Sequence, residues 1–163
     1  MFRRATVSDA EDIASIYNQA IRPGIFATSQ SAPDTRSERL SWLREHHDPY
    51  PAFVYENEDD TVVAWCSLNK FSVRPEYMGI AEASGYVHEN YRKMGIGKLM
   101  LGHLIEAANS FELRALFSRA LERNIAAITN TVSFGFRRVA LLHEISNIRD
   151  EWHNDVWFWK QLR

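Results

Sequence analysis

Two stretches of the chain hold the residue types that do chemistry. The first is Arg92-Lys93-Met94-Gly95-Ile96-Gly97-Lys98. Its glycines let the backbone come close to an anion, and a helix starting there would aim its first N–H groups and the positive end of its dipole at the same spot. With Arg92, Lys93 and Lys98 around the glycines, a pyrophosphate is the chemistry that the loop suits. The second is Glu82, the one charged residue in the run Ile80-Ala81-Glu82-Ala83. Partial burial in such a strand raises a carboxylate's pKa toward the range useful for taking up a proton. A strand carboxylate can equally face solvent or pair with an arginine.

Two common phosphate loops do not fit. A P-loop needs Gly-Lys-Ser/Thr, and Gly97-Lys98 is followed by Leu99, which offers no hydroxyl to magnesium. A dinucleotide fingerprint needs a third glycine where Met100 stands.

The elements around these residues follow from periodicity. Ile96, Leu99, Met100, His103, Leu104, Ala107, Ala108 and Phe111 recur at steps of three and four, which predicts a helix after the loop. Ala81 to His88 reads as the strand before it, with Gly85 marking a bulge or a close backbone approach. Upstream, Phe2 to Ala5 reads as a strand. Ser8-x-x-Glu11 and Thr35-x-x-Glu38 are capping boxes that open two helices, the first ended by Pro23-Gly24 and the second by Asp48-Pro49-Tyr50-Pro51. Ala52 to Glu56 and Thr61 to Asn69 form a hairpin about Asn57-Glu58-Asp59-Asp60, and Arg74 to Gly79 is a loop. Downstream come a strand at Arg114 to Ala120 and a helix capped by Asn124 and closed by Gly135. Strands at about Arg137 to Ile145 and Asp155 to Leu162 finish the chain. The order β-α-α-β-β-β-α-β-α-β-β is mixed α/β and not doubly wound.

Composition narrows the function classes. The 163 residues suit one domain, and 45% apolar with 25% charged residues is a globular balance. A net charge of −2 gives no electrostatic case for nucleic acid, and no apolar run approaches the roughly 20 residues of a membrane span. The N-terminus lacks the apolar core of a signal peptide, so a cytoplasmic protein is expected. Cys66 lies between apolar neighbours and reads as a buried inert thiol. His46 and His47 are adjacent and cannot present one helix face to a metal; no metal site is expected.

The element order, with Arg-x-x-Gly-x-Gly between the fourth strand and the third helix, resembles the GNAT superfamily of acetyl-CoA-dependent N-acetyltransferases. Arg4-Ala5-Thr6, Ile16-Tyr17-Asn18, Tyr50-Pro51, Arg74 with Tyr77, Ala81-Glu82-Ala83-Ser84, Asn124, Gly135-Phe136 and Asp155-Val156-Trp157-Phe158-Trp159 are similar to its phosphinothricin N-acetyltransferase group. Two positions depart from that group: Thr131 stands where relatives carry His or Tyr, and Gly85 replaces a larger residue.

The resemblance implies one domain over residues 1–163. Its sheet would be mixed but mostly antiparallel, of about seven strands with four helices, and the cofactor cleft would lie between strands four and five. It implies that acetyl-CoA is held by Val87 and His88, by the amides of Lys93, Met94, Gly95, Ile96, Gly97 and Lys98, by Arg92, and by Asn124 along the CoA arm. Glu82 becomes the general base, directly or through water. Arg74, Tyr77 and Thr131 fall at the substrate. The implied reaction is acetylation of the amino group of a small amino-acid-like compound, of the phosphinothricin or methionine sulfoximine type, by direct attack in a ternary complex. A homodimer is the expected assembly. Three alternatives stay open: a polyamine or antibiotic-amine specificity, a protein N-terminus as acceptor, or a silent CoA-binding module.

Overall fold

The computed structural model describes residues 1–163. In chain order the elements are β1 (Phe2–Arg4), α1 (Ala10–Ala20), α2 (Arg36–Glu45), β2 (Ala52–Glu56), β3 (Val62–Lys70), β4 (Ile80–Val87), α3 (Ile96–Ser110), β5 (Ala115–Leu121), α4 (Ile125–Ser133), β6 (Arg137–Ile148) and β7 (Glu151–Gln161). The seven strands form one sheet in the order β1-β2-β3-β4-β5-β7-β6, antiparallel throughout except between β4 and β5. This is the mixed, mostly antiparallel architecture with four helices expected above.

The parallel contact is short. Only Ile80, Ala81 and Glu82 pair, with Ala115, Leu116 and Phe117. Past that point the strands keep different partners. β4 follows β3 as far as Val87↔Ala64, and β5 follows β7 as far as Leu121↔Asp155. The sheet therefore opens into a splay that begins at Glu82.

Period-two alternation along β4 sends its side chains to two cores. Ala81 lies in the core beneath α3, with Leu68, Met100, Leu104 and Leu116. Tyr86 packs on the other face, against the core of Ile13, Ile16, Tyr17, Leu43 and Trp65 beneath α1 and α2. Each fully buried aliphatic side chain there stabilises the fold by roughly 1.5–3 kcal/mol. Gly85 is a close approach and not a bulge, because its ladder with Cys66 is unbroken. A Cβ at Gly85 would lie 3.1 Å from Cys66 Cβ and from Met100 Cε, and 3.2 Å from the Trp65 carbonyl oxygen.

Two local readings are corrected. The chain enters α1 through a short 3-10 turn, Val7–Asp9, and Thr6 with Asp9 closes the box in place of Ser8 with Glu11. Asp9 accepts the Thr6 N–H at 2.7 Å, and Arg3 grips both carboxylate oxygens at 2.8 Å. That clamp, between residues six apart, fixes where the helix begins. The last two strands also run longer than expected, because Arg149 and Asp150 both take left-handed φ (51° and 66°) and make a two-residue hairpin without glycine. The Thr35–Glu38 box forms as expected, with the Glu38 N–H on Thr35 Oγ1 at 3.2 Å. No helix is long and apolar enough to cross a membrane.

Candidate active site

The Val87 end of β4 leads into the glycine loop. Lys93 (φ 64°) and Gly95 (φ 86°) are both left-handed, which turns successive N–H groups the same way. None of the five backbone N–H groups from Lys93 to Gly97 donates to a protein acceptor, and Lys98 and Leu99 return theirs to the Gly95 carbonyl at 3.0 and 3.3 Å. Five free amides at the head of a 15-residue helix, beside the exposed Lys93 and Lys98, match a pyrophosphate. Met94 and Ile96 contribute backbone only, Met94 being exposed and Ile96 buried in the core.

Two side chains, Arg92 and Asn130, set the loop in place, and Asn124 begins the helix that carries the second. Arg92 donates its Nε–H to the Val87 carbonyl at 3.2 Å, so its guanidinium braces the loop against the strand end. Asn124 caps α4 by accepting the Ala127 N–H at 3.2 Å. Asn130, in α4, donates to the Gly97 carbonyl at 3.0 Å, while its Oδ1 is buried without a partner. Along β4, Phe71 donates to Ile80 and His88 to Val63. Antiparallel alternation then turns the N–H groups of Gly85 and Val87, which lie beyond the stretch paired to β5, away from β3 and into the splay. The His88 N–H is thus already bound, and its Nδ1 accepts from Asn90 at 3.3 Å.

The Glu82 end opens onto a cleft of about 460 Å³ on the α1/α2 face. Glu82, Ser84 and Tyr86 form one wall, and Arg119, Ala120 and Leu121 of β5 form the facing one. The loop from Ala27 to Gln30, with Tyr17, Asp34, Arg39 and Trp42, forms the roof, and Asp155 lies at the far end. The Glu82 side chain is one-fifth exposed, and its Oε1 accepts from Arg119 Nε at 2.9 Å. Asn69 donates to the Glu82 carbonyl and to Ser84 Oγ at 3.2 Å each, and its own Oδ1 lies 2.9 Å from His46 Nε2.

Arg39 holds the roof to the floor. It is paired with Asp34 and packed over Tyr17 (4.3 Å), Trp65 (4.9 Å) and Trp42 (5.1 Å). Such stacking suits the planar guanidinium. Tyr17 shares its hydroxyl with Thr28 at 2.8 Å. Burial, with the Tyr17 phenol beside it, pushes the Tyr86 pKa far above the ordinary tyrosine value, so Tyr86 stays protonated. Burial pushes the Cys66 thiol up as well, leaving no accessible thiolate for an acyl-enzyme.

Of the residues singled out in sequence, the structure brings Glu82 to the cleft and the Arg92–Lys98 loop to the other end of the same strand. Arg74 and Tyr77 do not line the cleft; they lie in an exposed turn before β4. Thr131 is buried in α4, also outside it.

Residues 2–157 match the family model described as acetyltransferase (GNAT) domain. The chain belongs to the GNAT acetyltransferases. It is 30% identical over 146 residues to the "Putative phosphinothricin acetyltransferase YwnH" of Bacillus subtilis, covering 90% of this chain and 89% of that one. With the L-methionine sulfoximine/L-methionine sulfone acetyltransferase of Salmonella typhimurium it shares 26% identity, over 88% and 83% of the two chains. Among solved structures, a "putative phosphinothricin N-acetyltransferase" superposes with a TM-score of 0.95 at 27% identity, covering 100% and 98%. A ribosomal-protein-alanine N-acetyltransferase from Brucella melitensis superposes at 0.93 and 28%, covering 99% of each chain.

Arg119 and Arg39 at the cleft, Asn130 at the glycine loop and His46 behind Asn69 carry no local sequence signal. Arg119 and Glu82 are 37 residues apart, and no motif links them. His46 beside His47 suggests at most a metal ligand, whereas its partner in the fold, Asn69, is 23 residues away.

Proposed function

We propose that the chain transfers the acetyl group of acetyl-CoA to the amino group of a small amino-acid-like acceptor, of the phosphinothricin or methionine sulfoximine type. One observation carries this reading. A partly buried carboxylate stands where β4 and β5 part, and five free amides stand in the loop beyond the other end of the same strand, Val87, which lies about 16 Å from Glu82 along the extended chain. The loop takes the pyrophosphate, and the splay takes the arm that leads to the thioester.

Each residue then has a task. Glu82 accepts a proton from the ammonium, directly or through one water, so that the amine nitrogen can attack the thioester carbonyl carbon. The Val87 N–H donates to the carbonyl oxygen as it becomes an oxyanion. A C–N bond forms, the C–S bond breaks, and the second proton of the attacking nitrogen passes through water to the departing thiolate, since Thr131 is a poor acid. With Cys66 buried, transfer is direct, in a ternary complex. Arg74 and Tyr77 lie outside this cleft, so any part they play at the acceptor needs a rearrangement or a second copy. A homodimer with one domain per chain belongs to the same reading.

A protein N-terminus is the second reading, favoured by the likeness to the ribosomal-protein-alanine enzyme. Acetyl-CoA-dependent thiol release over methionine sulfoximine, phosphinothricin, ordinary amino acids, polyamines and short peptides decides between them. Saturable turnover on the amino-acid analogues, with intersecting initial-rate lines, is the expected result. Turnover confined to peptides would replace it with the second reading, and acetyl-CoA binding without turnover would indicate a silent module.

A further inference from the structure

The cleft contains two guanidinium groups, and they differ in what they have left to offer. Arg39 has an 8% exposed side chain, is paired with Asp34 and lies among three aromatic rings. Its position is structural. Arg119 has a 54% exposed side chain and meets Glu82 through Nε alone. The Nη edge of its fork is therefore open to the cleft, in the geometry that takes a carboxylate bidentately. It stands two residues beyond Phe117, the last β5 residue paired to β4, so Glu82 and Arg119 point to the same face where the strands separate.

We infer that Arg119 anchors the carboxylate of the acceptor and that this capture releases Glu82 to act as base. The inference rests on the reading that the acceptor is an amino-acid-like amine. In an α-amino acid one carbon separates the amino group from the carboxylate. A base and a cation in direct contact are the matching receptor. The incoming carboxylate takes the open edge of Arg119 and competes for Nε, so the guanidinium is never left unpaired while Glu82 swings toward the ammonium. An amine without the carboxylate finds Glu82 still held. Arg119 is then both the selectivity element and the trigger.

The test compares methionine sulfoximine with its carboxamide in wild type, Arg119→Gln and Arg119→Lys. Steady-state turnover is measured together with equilibrium binding to the CoA-saturated protein, and each variant's melting temperature and acetyl-CoA affinity are checked against wild type. Wild type should prefer the carboxylate. In Arg119→Gln that preference should collapse by roughly 10- to 100-fold, chiefly through KM and Kd for methionine sulfoximine, with Arg119→Lys partly restoring it. If the preference survives in Arg119→Gln, or both acceptors lose equally, Arg119 only supports Glu82 and the inference is overturned while the amino-acid reading stands. If wild type itself ignores the carboxylate, the amino-acid reading fails first and takes this inference with it.

Discussion

The two ends of β4 are built by opposite means. At the Val87 end the groups offered to a ligand are consecutive backbone amides, Lys93 to Gly97, and their direction comes from φ at Lys93 and Gly95. At the Glu82 end they are side chains drawn from α1, α2, the loop between them and four strands. A backbone site tolerates side-chain change but not a change of φ, and a side-chain site behaves in the opposite way. Cofactor affinity and acceptor chemistry should therefore be separable by mutation.

The largest separation is expected from Glu82→Gln, which removes the base and leaves the loop intact. Turnover should fall by about 10²- to 10⁴-fold while acetyl-CoA affinity, measured by titration, stays at the wild-type value. Unchanged turnover would remove Glu82 from its role. Arg39→Leu attacks the same half through its scaffold. Losing the cation strands the Asp34 carboxylate and three aromatic faces, at a cost of about 3 kcal/mol, and the urea midpoint should drop accordingly. A midpoint equal to wild type would mean that the roof does not depend on that pair.

Gly95→Val tests the other half. No atom lies within 4 Å of the added Cβ, so the effect is backbone strain alone at φ 86°. About 1–2 kcal/mol of strain, relieved by turning the amides away, should weaken acetyl-CoA binding roughly 10-fold with the fold retained. Equal affinity would show that the amides do not hold the pyrophosphate.

The smallest effect is expected at His103, which belongs to neither half. It stacks on Phe2 at 4.3 Å and meets Phe53 edge-on at 4.5 Å, with Nε2 buried and unpartnered. Burial lowers its pKa below the ordinary 6.5, against a weaker opposing pull from Glu106. The unfolded chain then takes up the proton first. Stability is full above pH 6.5 and declines as the pH falls from there toward the folded-state value. In His103→Phe this slope should flatten in urea midpoints measured across that window, with turnover per folded molecule unchanged.

Legibility from sequence followed the same division. The Arg92–Lys98 loop, the α3 stripe and the Thr35–Glu38 box are local patterns, and each forms where periodicity and spacing put it. The Thr6–Asp9 entry to α1 was hidden because it depends on Arg3 reaching across from β1. The Arg149-Asp150 hairpin was hidden because its left-handed turn begins at Arg149, a residue type that rarely adopts that φ, and has no glycine to mark it. At the site, the residues around Glu82 say only that a strand carboxylate can meet some arginine, and Arg119 lies 37 residues away.

What the sequence by itself determined is the order of elements, the glycine loop at the head of α3 and the carboxylate in the strand before it, because these rest on interactions within a few residues of chain. Which arginine faces Glu82, and on which face of the sheet the cleft opens, were decided by tertiary structure alone. Those depend on β4 and β5 pairing for three residues and then parting. That outcome comes from each strand's ladder with its other neighbour, and no local pattern in either strand encodes it.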